Sequence, residues 1–496
     1  MPFTTRSGEI AMKRILFGLL AYAAVAAPIL SQPGEKAPPG EKGVEVLTRG
    51  PIHEAFAEPS AADRRPNPVI HQQPPAAIEE LPPDQKPDGA HIQWIPGYFA
   101  WDETGDDYIW VSGLWRATPP GRQWTPGRWA SAPDGWQWVS GYWATEGQAE
   151  IEYLPPPPPS IDTGPTADAP DADSLYIPGT WVYQERRYLW RPGFWLRANA
   201  DWCYTPARYT DTPAGYLFTD GYWDFPLDRR GMLFAPVRFS ATVWTTPGWS
   251  YQPRYAMGSR GLLDSLFVRP EFNRYYFGDY YGPESARQGF VPWFDHRPGA
   301  KIPDPLFSHT RWNARGDVMW EESLRGLHKD RLAGTAARPP VTLARQTEFV
   351  HNVTVNRKVQ IGNKSIDVVD PQGVLKRMPL MATLDKADHK EFKLKPVAPA
   401  AAVEGRKAVR QTAVVAQERQ AREAKIVSGG THPVKPADLS IRAKIERPQE
   451  TAPARVVHVP GPSAPALPKH AEQPIPRYEP AKPVHVKPPL PKGKNP

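Results

Sequence analysis

The chain has 496 residues with 62 prolines, one cysteine and a formal net charge of +7. So much proline restricts core-forming patterns to roughly 200–260 residues, room for two or three domains. The lone Cys203 excludes an intramolecular disulfide and reads as a small strand residue. Residues 396–496 hold 17 Lys/Arg against 8 Asp/Glu, a net of +9, so the basicity belongs to the tail and the remainder is slightly acidic.

Residues 1–32 read as a secretory signal peptide. Lys13-Arg14 precedes the apolar run Ile15–Ala27, with small-residue cleavage positions at Val25-Ala-Ala27. The run is too short for a comfortable membrane span of about 20 residues, and Met12 is an alternative start. Residues 33–90, rich in Pro, Glu, Ala and Gln, are expected to form a disordered or extended linker.

Between residues 91 and 225 a six-residue phrase recurs, aromatic-x-Pro/Ser/Asp-Gly-x-aromatic. The first group (91–146) reads Trp94-Ile-Pro-Gly97-Tyr-Phe99, Trp110-Val-Ser-Gly113-Leu-Trp115, Trp124-Thr-Pro-Gly127-Arg-Trp129 and Trp138-Val-Ser-Gly141-Tyr-Trp143. The second group opens the segment 175–320. It reads Tyr176-Ile-Pro-Gly179-Thr-Trp181, Trp190-Arg-Pro-Gly193-Phe-Trp195, Tyr204-Thr-Pro-Ala207-Arg-Tyr209 and Phe218-Thr-Asp-Gly221-Tyr-Trp223. Start-to-start steps are 16, 14 and 14, then 14 throughout. The 147–174 stretch between them, with Pro155–Pro159, reads as a polyproline II spacer.

A 14-residue unit fits a strand of about ten residues and a turn of about four. Turn chemistry falls at Glu103–Asp106, Thr118–Gly121, Ala132–Gly135 and Thr212–Gly215, where Pro presets φ and Gly supplies φ > 0. Counting from the turn centres sets Trp129 opposite Trp138, Trp181 opposite Trp190, Tyr209 opposite Phe218, Trp115 opposite Trp124 and Trp195 opposite Tyr204. Opposed aromatics contribute about 0.2–1 kcal/mol per pair and would pin an antiparallel meander. The two aromatics of one motif are five apart. Either a bulge at Pro-Gly returns them to one face, the favoured expectation, or the sheet carries rings on both faces.

Past the clear copies, Phe234–Phe239 looks like a decayed ninth motif, with weaker echoes at Tyr251–Tyr255 and Phe267–Phe272 and an aromatic patch from Tyr275 to Tyr281. Residues 321–395 are expected to hold a helix over Glu321–Leu332 and one or two strands over 347–370. Residues 396–496 read as a disordered cationic tail. Within it Ala401–Val427 has helix-forming composition but is marginal without a partner.

Catalytic patterns are lacking: no Gly-rich phosphate loop, HExxH, GxSxG or CxxC occurs. Asp295-His296 with His309 is the one His/Asp grouping, and a structural role outweighs a metal or acid/base one. Asp220 and Asp224 read as turn and edge residues, and Asn352-Val-Thr and Asn363-Lys-Ser are weak glycosylation matches. No catalytic, metal or cofactor residue is assigned. The aromatics have two readings. They are the core of thin sheets, or an exposed platform for sugar rings or another protein.

The phrases Trp110–Trp115, Trp138–Trp143 and Trp190–Trp195 resemble the WxxGxW/YxWGxW repeat family of exported bacterial proteins. The resemblance covers about 91–240 and departs at Ala207, where the motif has Gly. It implies secretion and a repeat-built β domain, and neither an enzyme activity nor an agreed ligand. The expectation is an all-β, antiparallel, non-enzymatic cell-envelope protein, with the basic tail contacting anionic envelope polymers. The alternative is carbohydrate binding through an exposed Trp/Tyr face. Expected partners are envelope polysaccharide or another envelope protein, with no nucleic acid and no membrane span after signal cleavage. Oligomeric state and the packing of the two groups stay open.

Overall fold

The computed structural model describes residues 42–428, apart from 64, 90, 149, 245, 259–260, 300–301 and 388–392, and the strand Ile441–Lys444. The expected leader and, that strand excepted, the tail beyond 428 lie outside the described residues. The architecture is strand-rich, built of many small antiparallel sheets.

The eight motifs make four kinked hairpins. Hairpin I runs through Ile92–Ile95, Tyr98–Asp102, Asp107–Val111 and Leu114–Ala117. Hairpin II uses Arg122–Thr125, Arg128–Ala132, Gly135–Val139 and Tyr142–Thr145. Hairpin III uses Ser174–Ile177, Thr180–Gln184, Arg187–Arg191 and Phe194–Arg197. Hairpin IV uses Cys203–Thr205, Arg208–Thr212, Gly215–Thr219 and Tyr222–Asp224. Inner strands pair across a tight turn, outer strands pair beyond the kink, and each hairpin consumes two motifs.

The expected pairs Trp129–Trp138, Trp181–Trp190 and Tyr209–Phe218 are present. Trp115–Trp124 and Trp195–Tyr204 are not. Trp115 lies opposite Trp94, Trp124 opposite Trp143, Trp195 opposite Tyr176 and Tyr204 opposite Trp223. Turn chemistry explains the difference. In Thr118-Pro-Pro-Gly121 the second proline forces its predecessor out of the α region a tight turn needs. The 198–202 link has no glycine for a φ > 0 corner. Hairpin III closes on Glu185-Arg186 with φ of 49° and 63°, a type I′ geometry.

No bulge interrupts the hairpins, which corrects the favoured expectation. Ile95 pairs with Leu114 and Tyr98 with Val111, so two residues of each strand face two of the other and the register runs through unchanged. The ladder simply opens at Pro96-Gly97 and Ser112-Gly113. Each motif's two rings therefore fall on opposite sides of a kink and join different clusters, Trp94 with Trp115 and Phe234, Phe99 with Tyr108 and Trp110. All eight cross-strand ring pairs have centroids 5.0–5.6 Å apart.

Hairpins dock in pairs by one rule. The Trp129 indole donates to the Phe99 carbonyl (2.9 Å), and at the corresponding position the Tyr209 hydroxyl donates to the Trp181 carbonyl (2.8 Å). The ninth copy is a third strand on hairpin I, kinked at the same level: Met232 pairs with Trp115 and Val237 with Trp110. A shared core containing Leu114, Trp143, Cys203, Tyr222, Val268, Tyr275, Trp293 and Phe307 joins hairpins I, II and IV to the 240–330 region. At its centre Arg116 grips both oxygens of Asp224 at 2.6 and 2.7 Å, with Arg230 3.3 Å from the same carboxylate. Asp224, expected at an edge, is buried.

Several segments expected to be free are packed. Residues 42–89 thread across hairpins I and II, burying Ile52, Ala55 and Phe56. The Pro155–Pro159 run lies on hairpin III, where Tyr188 donates to the Pro155 carbonyl and Trp181 to that of Pro159 (2.9 Å). Helix Pro399–Ser428 has a partner in hairpin II, since Arg419 donates to Pro126 (3.1 Å) and buried Glu423 pairs with Arg128. Helix Trp320–Ala333 lies where a helix was expected. By contrast Phe349–Thr354 belongs to helix Leu343–Thr354, capped by the Thr342 hydroxyl, and strands begin only at Lys358. Its alternating pattern gives way because Val353 buries on one helical face.

The kink sets the glycine requirement. A Cβ on Gly113 would stand 2.5 Å from both the Ile95 carbonyl oxygen and the Trp94 ring. Gly113→Ala is therefore expected to destabilise by about 1–3 kcal/mol through overpacking, measured by urea denaturation. An unchanged midpoint would refute close approach as the reason for this glycine.

Candidate binding cavity

Opening the ladder frees backbone N–H groups, and in hairpins I to III carboxylates from outside the repeats collect them, Glu54 and Glu80 buried and Asp162 half-buried. Glu80 accepts from Gly97 N (2.6 Å), Gly113 N (3.0 Å) and the Trp110 indole (2.9 Å). Glu54 accepts from Gly141 N (2.9 Å) and the Trp138 indole (3.1 Å) on hairpin II. Asp162 accepts from Gly179 N and the Tyr176 hydroxyl (3.0 Å) on hairpin III. Hairpin IV differs: its Gly221 N–H is capped at 2.8 Å by its own neighbour Asp220, which also pairs with Arg191. Burial pushes the Glu80 carboxyl up to about 7 against the pull of its three donors. Burial likewise raises Glu54, with Arg274 opposing.

These carboxylates escaped the sequence reading, although a signal existed. Glu80 precedes Trp94 by 14 residues and Asp162 precedes Tyr176 by 14, one repeat period ahead of each group.

The two groups bury their rings unequally. In the first, Trp94, Phe99, Trp110, Trp115, Trp138 and Trp143 are buried. In the second only Tyr209 is; Tyr176, Trp181, Trp190, Trp195, Tyr204, Phe218 and Trp223 are half-buried. Beside this second pair lies a cavity of about 410 Å³, walled by Trp181, Trp190, Tyr209 and Tyr216, by Pro157–Pro159, by residues 58–63 and by Arg65. Arg208 on its wall pairs with Glu58; burial works against the guanidinium charge, and Glu58 together with Tyr222 and Asp224 more than offsets it. The other motif glycines, Gly127 and Gly193, sit at their kinks with Gly141 and Gly179 facing them.

The remaining candidates do not converge. His296 lies 2.7 Å from the Ser60 carbonyl, His309 2.8 Å from that of Asn199, and Asp295 pairs with Arg325 at 2.6 Å. Among the described residues no group of three His, Cys, Asp or Glu side chains is placed to hold a metal ion. Cys203 is buried, which pushes its thiol up to about 12. Asn352 lies on helix Leu343–Thr354 and Asn363 in the turn before Lys364.

A family model described as WXXGXW repeat, in two copies, matches residues 94–116, 124–144, 175–195 and 214–224. The four hairpins are WXXGXW repeats. No curated protein and no solved structure matches the chain. The match thus covers hairpins I to III and the second half of hairpin IV, and leaves out the segments that cap them. Among the described residues no helix is long and apolar enough to cross a membrane.

The Glu80 cap makes a pH-dependent contribution. Its folded-state value lies above the ordinary 4.5, so between pH 4.5 and 7 the folded state holds more proton than the unfolded one. Stability therefore falls as pH rises through that window, by on the order of 3 kcal/mol from this group. Glu80→Gln removes that slope, and its amide sets a donor against an N–H, costing about 1–3 kcal/mol. The gap between wild type and variant should be widest near pH 4.5 and narrow toward pH 7; a pH-independent gap would contradict this.

Proposed function

We propose that the chain is an exported, non-enzymatic cell-envelope protein whose first WXXGXW pair is scaffold and whose second pair is a binding face. One observation carries the reading: the motif buries six of its eight rings in hairpins I and II but only Tyr209 in hairpins III and IV, where Trp181 and Trp190 stand half-exposed at a cavity. A ring used only for packing would gain about 25 cal/mol per Å² from further burial. The charged run at 13–14 followed by an apolar stretch supports export, and the +9 tail suits contact with anionic envelope polymers. A second reading, carbohydrate binding, draws on Trp181 and Trp190 beside the cavity.

Cell fractionation of the native protein tests export, and recovery solely in the cytoplasm would end that part. Acrylamide quenching tests the division of labour. We expect single-tryptophan reporters at Trp190 and Trp195 to quench several-fold faster than reporters at Trp110 and Trp115. Equal quenching would remove the basis for a binding face.

A further inference from the structure

The cavity beside hairpins III and IV has a filled counterpart in the first pair. There, residues 53–54 enter between the hairpins at the level of the kinks. His53 lies 3.1 Å from the Pro96 carbonyl, the Glu54 backbone N–H donates to the Tyr98 hydroxyl at 3.2 Å, and the Glu54 carboxylate caps hairpin II. Arg274 seals the place from above, 5.2 Å from both the Tyr98 and Trp138 rings. The corresponding positions in the second pair are Pro178 for Pro96, Thr180 for Tyr98, Ala207 for Gly127 and Phe218 for Trp138. Pro178, Thr180 and Ala207 line the cavity. Thus the second pair repeats the site, with a smaller residue at Tyr98's place and open space where the first pair holds the turn His53–Phe56 of its own chain.

The wall chemistry narrows the occupant. A carboxylate like that of Glu54 would find neither of its donors: Phe218 has no N–H, and Gly221 N–H is taken by Asp220 at 2.8 Å. Of the charged groups on the wall, Glu58 pairs with Arg208, Asp162 accepts from Gly179 N–H and Asp63 from Ser160 N–H, and Arg65 stands at the exposed rim, which favours an uncharged occupant. The aromatic face that borders the cavity already holds an extended proline segment, with Tyr188 and Trp181 donating to carbonyls four residues apart in Pro155–Pro159. On hairpin I, Tyr108 at Tyr188's position donates to the Gln72 carbonyl (2.7 Å), just ahead of Pro74-Pro75. Rings that donate to carbonyls of a preformed polyproline II chain are a known mode of peptide recognition. Tyr216, the corresponding tyrosine of hairpin IV, lines the cavity with its ring, its hydroxyl bonded to Asp211.

We propose that the cavity is a docking site for an extended, uncharged, proline-rich segment of a partner protein. The inference rests on the second pair being the binding face and names what that face takes. A bound segment would run alongside Pro157–Pro159 and complete in the second pair the packing that residues 53–54 provide in the first.

The test uses the full chain and a fluorescein-labelled decaproline peptide, read by anisotropy. A peptide with alternate prolines replaced by alanine and a panel of neutral glycans in affinity gels serve as comparisons. Ala62→Phe places a ring at the exposed cavity rim without touching the hairpins. We expect saturable decaproline binding that weakens about tenfold both in Ala62→Phe and with the alanine peptide. Binding unchanged in Ala62→Phe overturns the cavity as the site. Glycan retardation without a peptide response overturns the inference and leaves the binding face standing; no response to either overturns both.

Discussion

The fold depends on a carboxylate placed where two strands open together. At the kinks of hairpins I, II and III the motif glycines release N–H groups toward a carboxylate from elsewhere in the chain, and an unpaired buried donor costs about 1–3 kcal/mol. Glu80 answers three donors with its two oxygens, Glu54 two and Asp162 two. These acids come from segments that precede or lie outside the repeats. The hairpins are consequently not a freestanding meander: hairpins I, II and III each take a segment from outside the repeats across the kink, and the threading packs residues 42–89 and 155–162 against them.

The indoles serve the same requirement. Trp110 and Trp138 pack a ring on one side of the kink and send an N–H to the capping acid, while Trp115 donates to Gln85 and Trp143 to Ala55 in the threaded segments. A large apolar body with one polar tip suits that geometry, and explains why the motif favours tryptophan over phenylalanine. Deeper in, the Arg116–Asp224–Arg230 cluster ties hairpin I to hairpin IV. Such a buried group adds little net stability but is costly to break, so its role is to fix which hairpins meet.

Period, strand content and three of the five stated ring pairs were legible in the sequence, because motif spacing and Gly- or Pro-bearing turns act locally. The pairings at Trp115 and Trp195 were not, since they depend on a turn failing to close and on a distant partner closing the strand instead. The bulge was inferred from parity in one strand; with both strands opened at the same residues, parity no longer constrains the rings. Composition misled most strongly at 42–89 and 155–162. Proline-rich, weakly apolar chain cannot fold by itself, yet it orders when aromatic donors and unpaired glycine N–H groups await its carbonyls and acids. Glu80 and Asp162 were visible in the repeat period, whereas Glu54, far from hairpin II in sequence, was not.

The unequal burial of the two pairs follows from what each is given. Hairpin I gains a third kinked strand from 231–239 and a covering strand at Val44–Val46, so its rings close into a core. Hairpins III and IV remain two-stranded apart from the bridge between Leu154 and Tyr216. With Thr180 and Phe218 at the positions of Tyr98 and Trp138, the second pair keeps the register and the ring ladder while losing bulk and donors on one side. The substitutions cluster around a single space and leave the cross-strand ring pairs intact. Decay of a redundant repeat would be expected to erode the ring pairs as well, so their survival points to a retained frame with an opened site.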